Sequence, residues 1–124
     1  MGGCSFGGYT ATNFAFKFPH VVSYLISMSG SFDIKSFMDG YYDDNVYFNN
    51  PVDYLPDLDN GNLWRMGIIL GTSEWDICRE ANYNLSNQLH KKGIHHWLDE
   101  VGGSPHDWPL WRYMLPKYLG EIVK

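Results

Sequence analysis

The chain has 124 residues, of which 17% are aromatic and only 19% are charged, a composition that predicts one folded domain over residues 1–124 rather than a disordered segment. Nine basic against fourteen acidic residues give a formal charge of −5, which argues against a nucleic-acid partner. No apolar run approaches the length of a membrane span and the N-terminus lacks a secretion-signal pattern, so we expect a cytoplasmic protein with no membrane partner.

The first third of the chain predicts a helix, then a buried strand. Apolar residues at near-helical spacing, closed by Pro19, indicate a helix over about residues 8–18. Residues 21–29 (VVSYLISMS) are rich in β-branched and large apolar side chains, which indicates a strand buried on both faces and hence a parallel sheet. Residues 39–63 then read as a long irregular loop, dense in Asp, Asn, Pro and Gly, and loops of this length are usually functional.

The rest of the chain alternates between strands and helices. The pattern predicts a strand at 65–71, a helix at 78–93, a strand at 94–101, a loop at 102–109 and a closing helix at 110–123, kinked or interrupted at Pro116. This order predicts an α/β fold with about three parallel strands and flanking helices.

The opening stretch GCSFGG has the form G-x-S-x-G, which is typical of a sharp strand-to-helix turn that exposes a nucleophilic serine. Ser5 occupies the apex. We expect Gly3 and Gly7 to be glycine because a Cβ at either position would clash in so tight a turn. The backbone N–H of Phe6, at the start of the following helix, is the candidate oxyanion donor.

Two further side chains fit the same chemistry. Asp76 follows the second predicted strand and His106 follows the third, and the carboxyl ends of parallel strands meet at one edge of a sheet. His106 would accept the proton of Ser5, and Asp76 would hold the imidazole in the required tautomer. Glu74 and Asp33 remain open as alternative acids.

Candidates for lining a substrate pocket are Tyr41 and Tyr42 in the long loop and Trp108 near His106. For the two tyrosines, an equally good alternative is that they anchor the loop to the rest of the protein. We expect no metal and no cofactor, because the other histidines lack partners at metal-ligand spacing. The two cysteines, Cys4 and Cys78, are too few for a disulfide framework or a zinc site, and we expect both to be reduced and buried.

Four segments resemble, in the same order, those of a known family: GCSFGGYTATNFAFKFP, SGSFDI, GYYDDNVYFNNPVDYLP and HDWPLWRYMLPKYL. The family is the α/β-hydrolase superfamily, and within it the esterases related to esterase D and S-formylglutathione hydrolase, including a group of short bacterial esterases. The resemblance implies a serine carboxylic-ester hydrolase that acts on a small ester or thioester through an acyl-enzyme. Ser5 matches the family nucleophile, His106 the family histidine and Asp76 the acid.

The resemblance is to the C-terminal half of that fold, whose members have about five strands before the nucleophile. We therefore expect neither the strand that leads into the serine turn nor the loop that supplies a second oxyanion N–H. The edge of the first predicted strand would then be unpaired, which predicts self-association through the sheet edge. Two other functions stay open: a catalytically inactive remnant that serves as a binding or assembly module, and an acyltransferase on the same scaffold.

Overall fold

The computed structural model describes residues 1–123 and shows four parallel strands in one sheet, in the order β1-β2-β3-β4. The elements, in chain order, are β1 (Gly2–Cys4), α1 (Phe6–Lys17), β2 (Tyr24–Met28), α2 (Asp44–Tyr47), α3 (Pro51–Tyr54), β3 (Gly67–Trp75), α4 (Arg79–Lys91), β4 (Trp97–Pro105) and α5 (Trp108–Ile122). The predicted α/β class with a parallel sheet is confirmed. Within residues 1–123, none of the helices combines the length and the hydropathy needed to cross a membrane.

The sheet has one strand more than the sequence predicted. We expected no strand before Ser5, but β1 pairs in parallel with β2 over three residues. Two of those three residues are glycine, which has a low β-propensity, so only the pairing with a distant segment reveals the strand. β1 leads directly into the turn at Ser5.

Both β3 and β4 run four residues beyond their predicted ends, to Trp75 and Pro105. The apolar run of β3 stops at Gly71, which made the strand look finished there. Thr72 and Ser73 are nevertheless fully buried and pair with β4. As a result, the residue after each strand lies directly at the edge of the sheet.

The sequence predicted an irregular loop at 39–63, but this segment folds into short helical turns. It contains α2, α3 and two 3-10 turns at Leu55–Asp57 and Gly61–Arg65. Each piece is too short to produce a helical period in the sequence. The fully buried side chain of Asn50 fixes this region, because it accepts a hydrogen bond from the Ile34 N–H at 2.7 Å and donates to Asp33 and Asp53 at 3.0 and 2.9 Å.

Helix α5 continues through Pro116, where the sequence predicted a kink or an interruption. Proline removes one intrahelical hydrogen bond. Packing on both sides of it offsets that loss: Met114 and Tyr118 are fully buried against the sheet, and the Tyr118 hydroxyl donates to Asp99 at 2.9 Å.

The core has two layers, one on each face of the sheet. Leu25 of β2 and Leu70 of β3 face α1 and α4, where they pack with Phe16, Leu85 and Leu89. The other face is covered by α5 and contains Ile26, Met28, Ile69, Leu110, Trp111, Met114 and Tyr118. Burial on both faces explains why the strands read as continuous apolar runs.

Candidate active site

Four polar residues stand at the carboxyl edge of the sheet, and each follows one of the four strands directly. Ser5 follows β1, Ser29 follows β2, Asp76 follows β3 and His106 follows β4. Because the strands are parallel, these four positions lie side by side. The sequence predicted three of them and missed Ser29.

Ser5 has the strained backbone expected at the apex of a strand-to-helix turn, with φ 54° and ψ −120°. Its N–H donates to the Met28 carbonyl at 2.8 Å, and its carbonyl accepts from the Gly8 N–H at 3.0 Å. Helix α1 begins at the next residue, Phe6, two residues earlier than predicted. As the first helical residue, Phe6 has a backbone N–H with no intrahelical acceptor, so it is positioned as an anion donor beside the serine.

The sequence predicted that Gly3 and Gly7 must be glycine for steric reasons, but in the structure the two such positions are Gly3 and Gly8. A Cβ on Gly3 would lie 2.2 Å from the carbonyl oxygen of Gly7, so Gly3 is required. A Cβ on Gly7 would meet nothing within 4 Å, so the predicted clash at Gly7 is wrong. The second position that excludes a side chain is Gly8, where a Cβ would lie 2.7 Å from Ser27 Oγ and 2.9 Å from Gly30 Cα. Helix α1 packs closely on β2 through Gly8.

Gly3→Ala and Gly7→Ala make a matched pair that tests this turn. We expect Gly3→Ala to lower the free energy of unfolding by about 1–3 kcal/mol, because the backbone must shift to admit the methyl group. Gly7→Ala should raise it by about 0.5–1 kcal/mol, because alanine favours the helix and meets open space. Urea denaturation of both variants measures the difference. Equal destabilisation by the two changes would contradict the assignment.

Ser5, His106 and Asp76 form a hydrogen-bonded chain across three strands. Ser5 Oγ lies 2.9 Å from His106 Nε2, and His106 Nδ1 lies 2.7 Å from Asp76 Oδ1. The Asp76 side chain is completely buried, and 14% of the His106 side chain is exposed. Next to an ionised Asp76 the imidazole carries its hydrogen on Nδ1, which leaves Nε2 free to accept the hydroxyl proton of Ser5.

Asp76 is surrounded by donors that favour its ionised form. Burial raises the pKa of this carboxyl, but hydrogen bonds from Ser29, the Cys78 N–H, His106 and Thr72 outweigh burial, and the pKa lies below its ordinary value. The Cys78 N–H donates to Oδ1 at 2.9 Å and the Thr72 hydroxyl to Oδ2 at 3.0 Å. The carboxylate therefore stays charged and fixed opposite the imidazole at neutral pH.

Ser29 and Trp111 complete a second connection between the acid and the histidine. Ser29 is fully buried, has φ 55°, and accepts a hydrogen bond from the Trp111 indole N–H at 2.9 Å. The Trp111 ring packs edge-to-face on the His106 ring, with centroids 5.0 Å apart. Trp111 thus restrains the imidazole while Ser29 acts on Asp76. Only the position of Ser29 directly after β2 could have marked it in the sequence.

Ser29→Ala tests this arrangement. Losing a buried donor to a charged acceptor should cost about 1.5–3 kcal/mol of stability at neutral pH. Because the folded pKa of Asp76 is depressed, its ionisation contributes stability above the unfolded pKa, and this contribution is lost as the pH falls through the folded pKa. Removing the Ser29 donor raises the folded pKa of Asp76, so the cost should shrink as the pH falls below the ordinary pKa range of an aspartate. Urea denaturation at neutral and at acidic pH checks this, and a pH-independent cost would contradict it.

The two alternative acids, Glu74 and Asp33, form hydrogen bonds with groups other than His106. Glu74 is exposed and accepts a hydrogen bond from the Gly103 N–H at 3.3 Å. Asp33 accepts from Lys35 N–H and from the Asn50 side chain in the loop after β2. Asp107, which is not one of those alternatives but adjoins His106 in the sequence, caps α5, where it accepts a hydrogen bond from the Trp108 N–H at 2.7 Å. His106 pairs with Asp76.

The pocket candidates occupy two different places. Trp108 is exposed at the start of α5 and packs edge-to-face on Trp111, with centroids 5.2 Å apart, which puts it in the layer around His106. The Tyr41 and Tyr42 hydroxyls donate to Asp43 and Asp53 within their own loop, at 2.5 and 2.8 Å. The hydrogen bond to Asp53 raises the pKa of Tyr42 to about 12. A pocket role for these tyrosines stays a prediction.

Four parallel strands flanked by helices, with a serine at a strand-to-helix turn, form part of the α/β-hydrolase fold. A ferulic acid esterase matches with a TM-score of 0.79 and 21% identity, over 94% of this chain and 47% of that chain. The S-formylglutathione hydrolase FrmB of Staphylococcus aureus matches with a TM-score of 0.77 and 16% identity, over 99% of this chain and 50% of that chain. The capsule O-acetyltransferase of Neisseria meningitidis serogroup A, solved as its H228A mutant in complex with CoA, matches with a TM-score of 0.75 and 13% identity. This match covers 99% of this chain and 55% of that chain.

The chain thus spans about half the length of these three proteins. At such identities the likeness shows the fold, which agrees with the resemblance in the sequence. No protein-family model matches the chain, and no curated protein matches it significantly.

Proposed function

We propose that the protein is a serine hydrolase that cleaves a small carboxylic ester or thioester through an acyl-enzyme on Ser5. The observation that carries this proposal is the hydrogen-bonded chain from Ser5 through His106 to Asp76, with Ser5 in a positive-φ turn. A serine hydroxyl is a weak nucleophile unless a base contacts it, and His106 makes that contact.

In the proposed reaction, Ser5 Oγ attacks the ester carbonyl carbon as its proton passes to His106 Nε2. The Phe6 N–H donates to the developing oxyanion, and ionised Asp76 stabilises the imidazolium. Collapse of the intermediate breaks the bond to the alcohol or thiol, which leaves with the proton from His106. Water, deprotonated by the same nitrogen, then attacks the acyl-enzyme, releases the acid and restores the Ser5 hydroxyl.

The surroundings favour an ester with an apolar part. Four large apolar side chains within two residues of Ser5, Asp76 or His106 in the sequence are exposed: Phe6, Trp75, Ile77 and Trp108. Such side chains bind apolar groups by removing their surface from water. The proposed substrate is therefore a small ester whose acyl or alcohol group contacts these residues, and the proposed reaction needs no cofactor.

Trapping the acyl-enzyme tests the proposal. The protein is mixed with p-nitrophenyl acetate, quenched in acid, digested and analysed by mass spectrometry, and we expect the acetyl group on Ser5. Ser86→Ala is the matched control, because Ser86 also contacts a histidine, His96, at 2.6 Å but lies within α4 rather than at a strand-to-helix turn. Acetylation of Ser86 instead of Ser5 would contradict the proposal, and no acetylation of either would favour the inactive remnant.

An acyltransferase is the second candidate, and the O-acetyltransferase among the matching structures favours it. Its proposed chemistry shares the acyl-enzyme on Ser5 and differs only in the acceptor, an alcohol instead of water. Product analysis with a competing alcohol separates the two: a hydrolase yields mainly free acid, whereas an acyltransferase yields mainly the new ester.

We also propose self-association through the edge of β1. Beside that strand, α5 borders a groove of about 460 Å³ whose lining includes Met1, Tyr24, Leu115 and Leu119, all exposed. Among residues 1–123, β1 lies at the edge of the sheet, and an open strand edge next to apolar side chains favours pairing with another chain. Leu119→Lys should shift sedimentation toward monomer, whereas Phe37→Lys, at an exposed apolar position outside the groove, should not. Equal behaviour of both variants would contradict this interface.

A further inference from the structure

Asp76, Cys78 and His106 form a compact cluster of three different metal-ligating side chains. One ligand atom from each lies within 4.8 Å of the other two. The residues are positioned by the end of β3, the residue before α4 and the end of β4. The proposed hydrolysis uses Asp76 and His106 but has no role for the Cys78 thiol. Both cysteines are free, as predicted, and half-buried rather than fully buried.

The donor set matches a particular class of ion. A thiolate, an imidazole nitrogen and a carboxylate oxygen together suit Zn²⁺ and its softer analogue Cd²⁺. Bonds of about 2.0–2.3 Å in a tetrahedral site put the ligand atoms about 3.3–3.8 Å apart. His106 Nδ1 and Asp76 Oδ1, now 2.7 Å apart, must separate by about 0.6–0.8 Å. The Cys78 sulfur, which lies within 4.8 Å of the other two ligand atoms, must come to within about 3.8 Å of them.

Hydrogen bonds already orient two of these ligands from behind. Thr72 donates to Asp76 Oδ2, the oxygen that does not face His106. Ser5 contacts His106 Nε2, which leaves Nδ1 as the ligating nitrogen. Such outer contacts are what fix a carboxylate and an imidazole in metal sites. Cys78 and His106 are both partly exposed, so an ion has access from solvent.

We propose that Asp76, Cys78 and His106 bind one thiophilic divalent cation, of the zinc or cadmium type, and that the bound ion inhibits the protein. The thiol proton is released to solvent on coordination. The imidazole hydrogen moves from Nδ1 to Nε2, which then donates to Ser5 instead of accepting from it. Ser5 loses its base. The inhibition rests on the proposed function, but binding of the ion does not.

Titration with cadmium chloride tests the site, because a Cd–thiolate bond gives a charge-transfer absorption in the ultraviolet. We expect one Cd²⁺ per chain with this absorption. Cys78→Ser should abolish the absorption and weaken binding at least about 100-fold, more than the loss of an outer contact costs. Cys4→Ser, which removes the other free thiol, should change neither. Circular dichroism checks that each variant is folded.

His106→Gln distinguishes a three-ligand site from simple capture of the ion by a thiol. This variant keeps Cys78 and should still bind at least about tenfold more weakly than the unmodified protein. Undiminished binding by His106→Gln, or absorption that depends on Cys4 and not on Cys78, would overturn the proposal. Ser5→Ala, which removes only an outer contact of His106, should still bind one Cd²⁺ per chain with the same absorption. If the protein fails to form an acyl-enzyme yet binds Cd²⁺ with this dependence, the proposed function fails while the metal site stands.

Discussion

Ser5→Ala is expected to lower kcat for ester hydrolysis by about 10⁶-fold, because the variant has no oxygen on which to form the acyl-enzyme. The Phe6 N–H and the substrate contacts remain, so KM should change little. Steady-state hydrolysis of p-nitrophenyl acetate measures both constants. Ser36→Ala is the control, since Ser36 is exposed in a short 3-10 turn, Lys35–Phe37, that follows β2.

The same variant separates nucleophilic catalysis from general-base catalysis. If His106 only activated a water molecule, Ser5→Ala would keep a substantial fraction of the activity. A loss of less than about tenfold would therefore contradict the acyl-enzyme.

Asp76→Asn should lower kcat by about 10⁴-fold while the fold persists, the size of effect expected when the acid of a serine–histidine–acid triad becomes an amide. Asparagine is close to the same size, but its amide group can donate to His106 Nδ1. The imidazole would then carry its hydrogen on Nε2 and would no longer accept from Ser5. Kinetics at neutral pH measure the loss.

Glu74→Gln is the matched control for that change, because Glu74 was the nearest alternative acid and is exposed, with a hydrogen bond to Gly103. We expect its kcat to stay within about twofold, as for a surface carboxylate. If Glu74→Gln lowered kcat strongly and Asp76→Asn lowered it only slightly, Glu74 rather than Asp76 would be the acid that acts on His106.

The G-x-S-x-G motif predicted Ser5, and one physical rule predicted Asp76 and His106. Polar residues that follow buried parallel strands meet at the carboxyl edge of the sheet. The rule also applies to Ser29, but that serine stands among other small residues in MSGS, and nothing local separates it from them. Its contacts with Trp111, 82 positions away, exist only in the folded chain.

Other differences between sequence and structure have the same origin. β1 is a strand because β2 pairs with it, and two glycines give no local sign of that pairing. The adjacent Gly7 and Gly8 look equivalent in the sequence, but only Gly8 faces Ser27 and Gly30. Local composition predicted the type of α1, α4, α5, β2, β3 and β4, whereas strand pairing and close approach determine β1 and the ends of the strands.

We infer that His106 makes Ser5 a reactive nucleophile. A fluorophosphonate probe, with the modified residue mapped by mass spectrometry, reports that reactivity at the serine itself. We expect labelling of Ser5, loss of labelling in Ser5→Ala and strong slowing in His106→Gln. A folded protein in which the probe leaves Ser5 unmodified, or reacts at the same rate without His106, would contradict it.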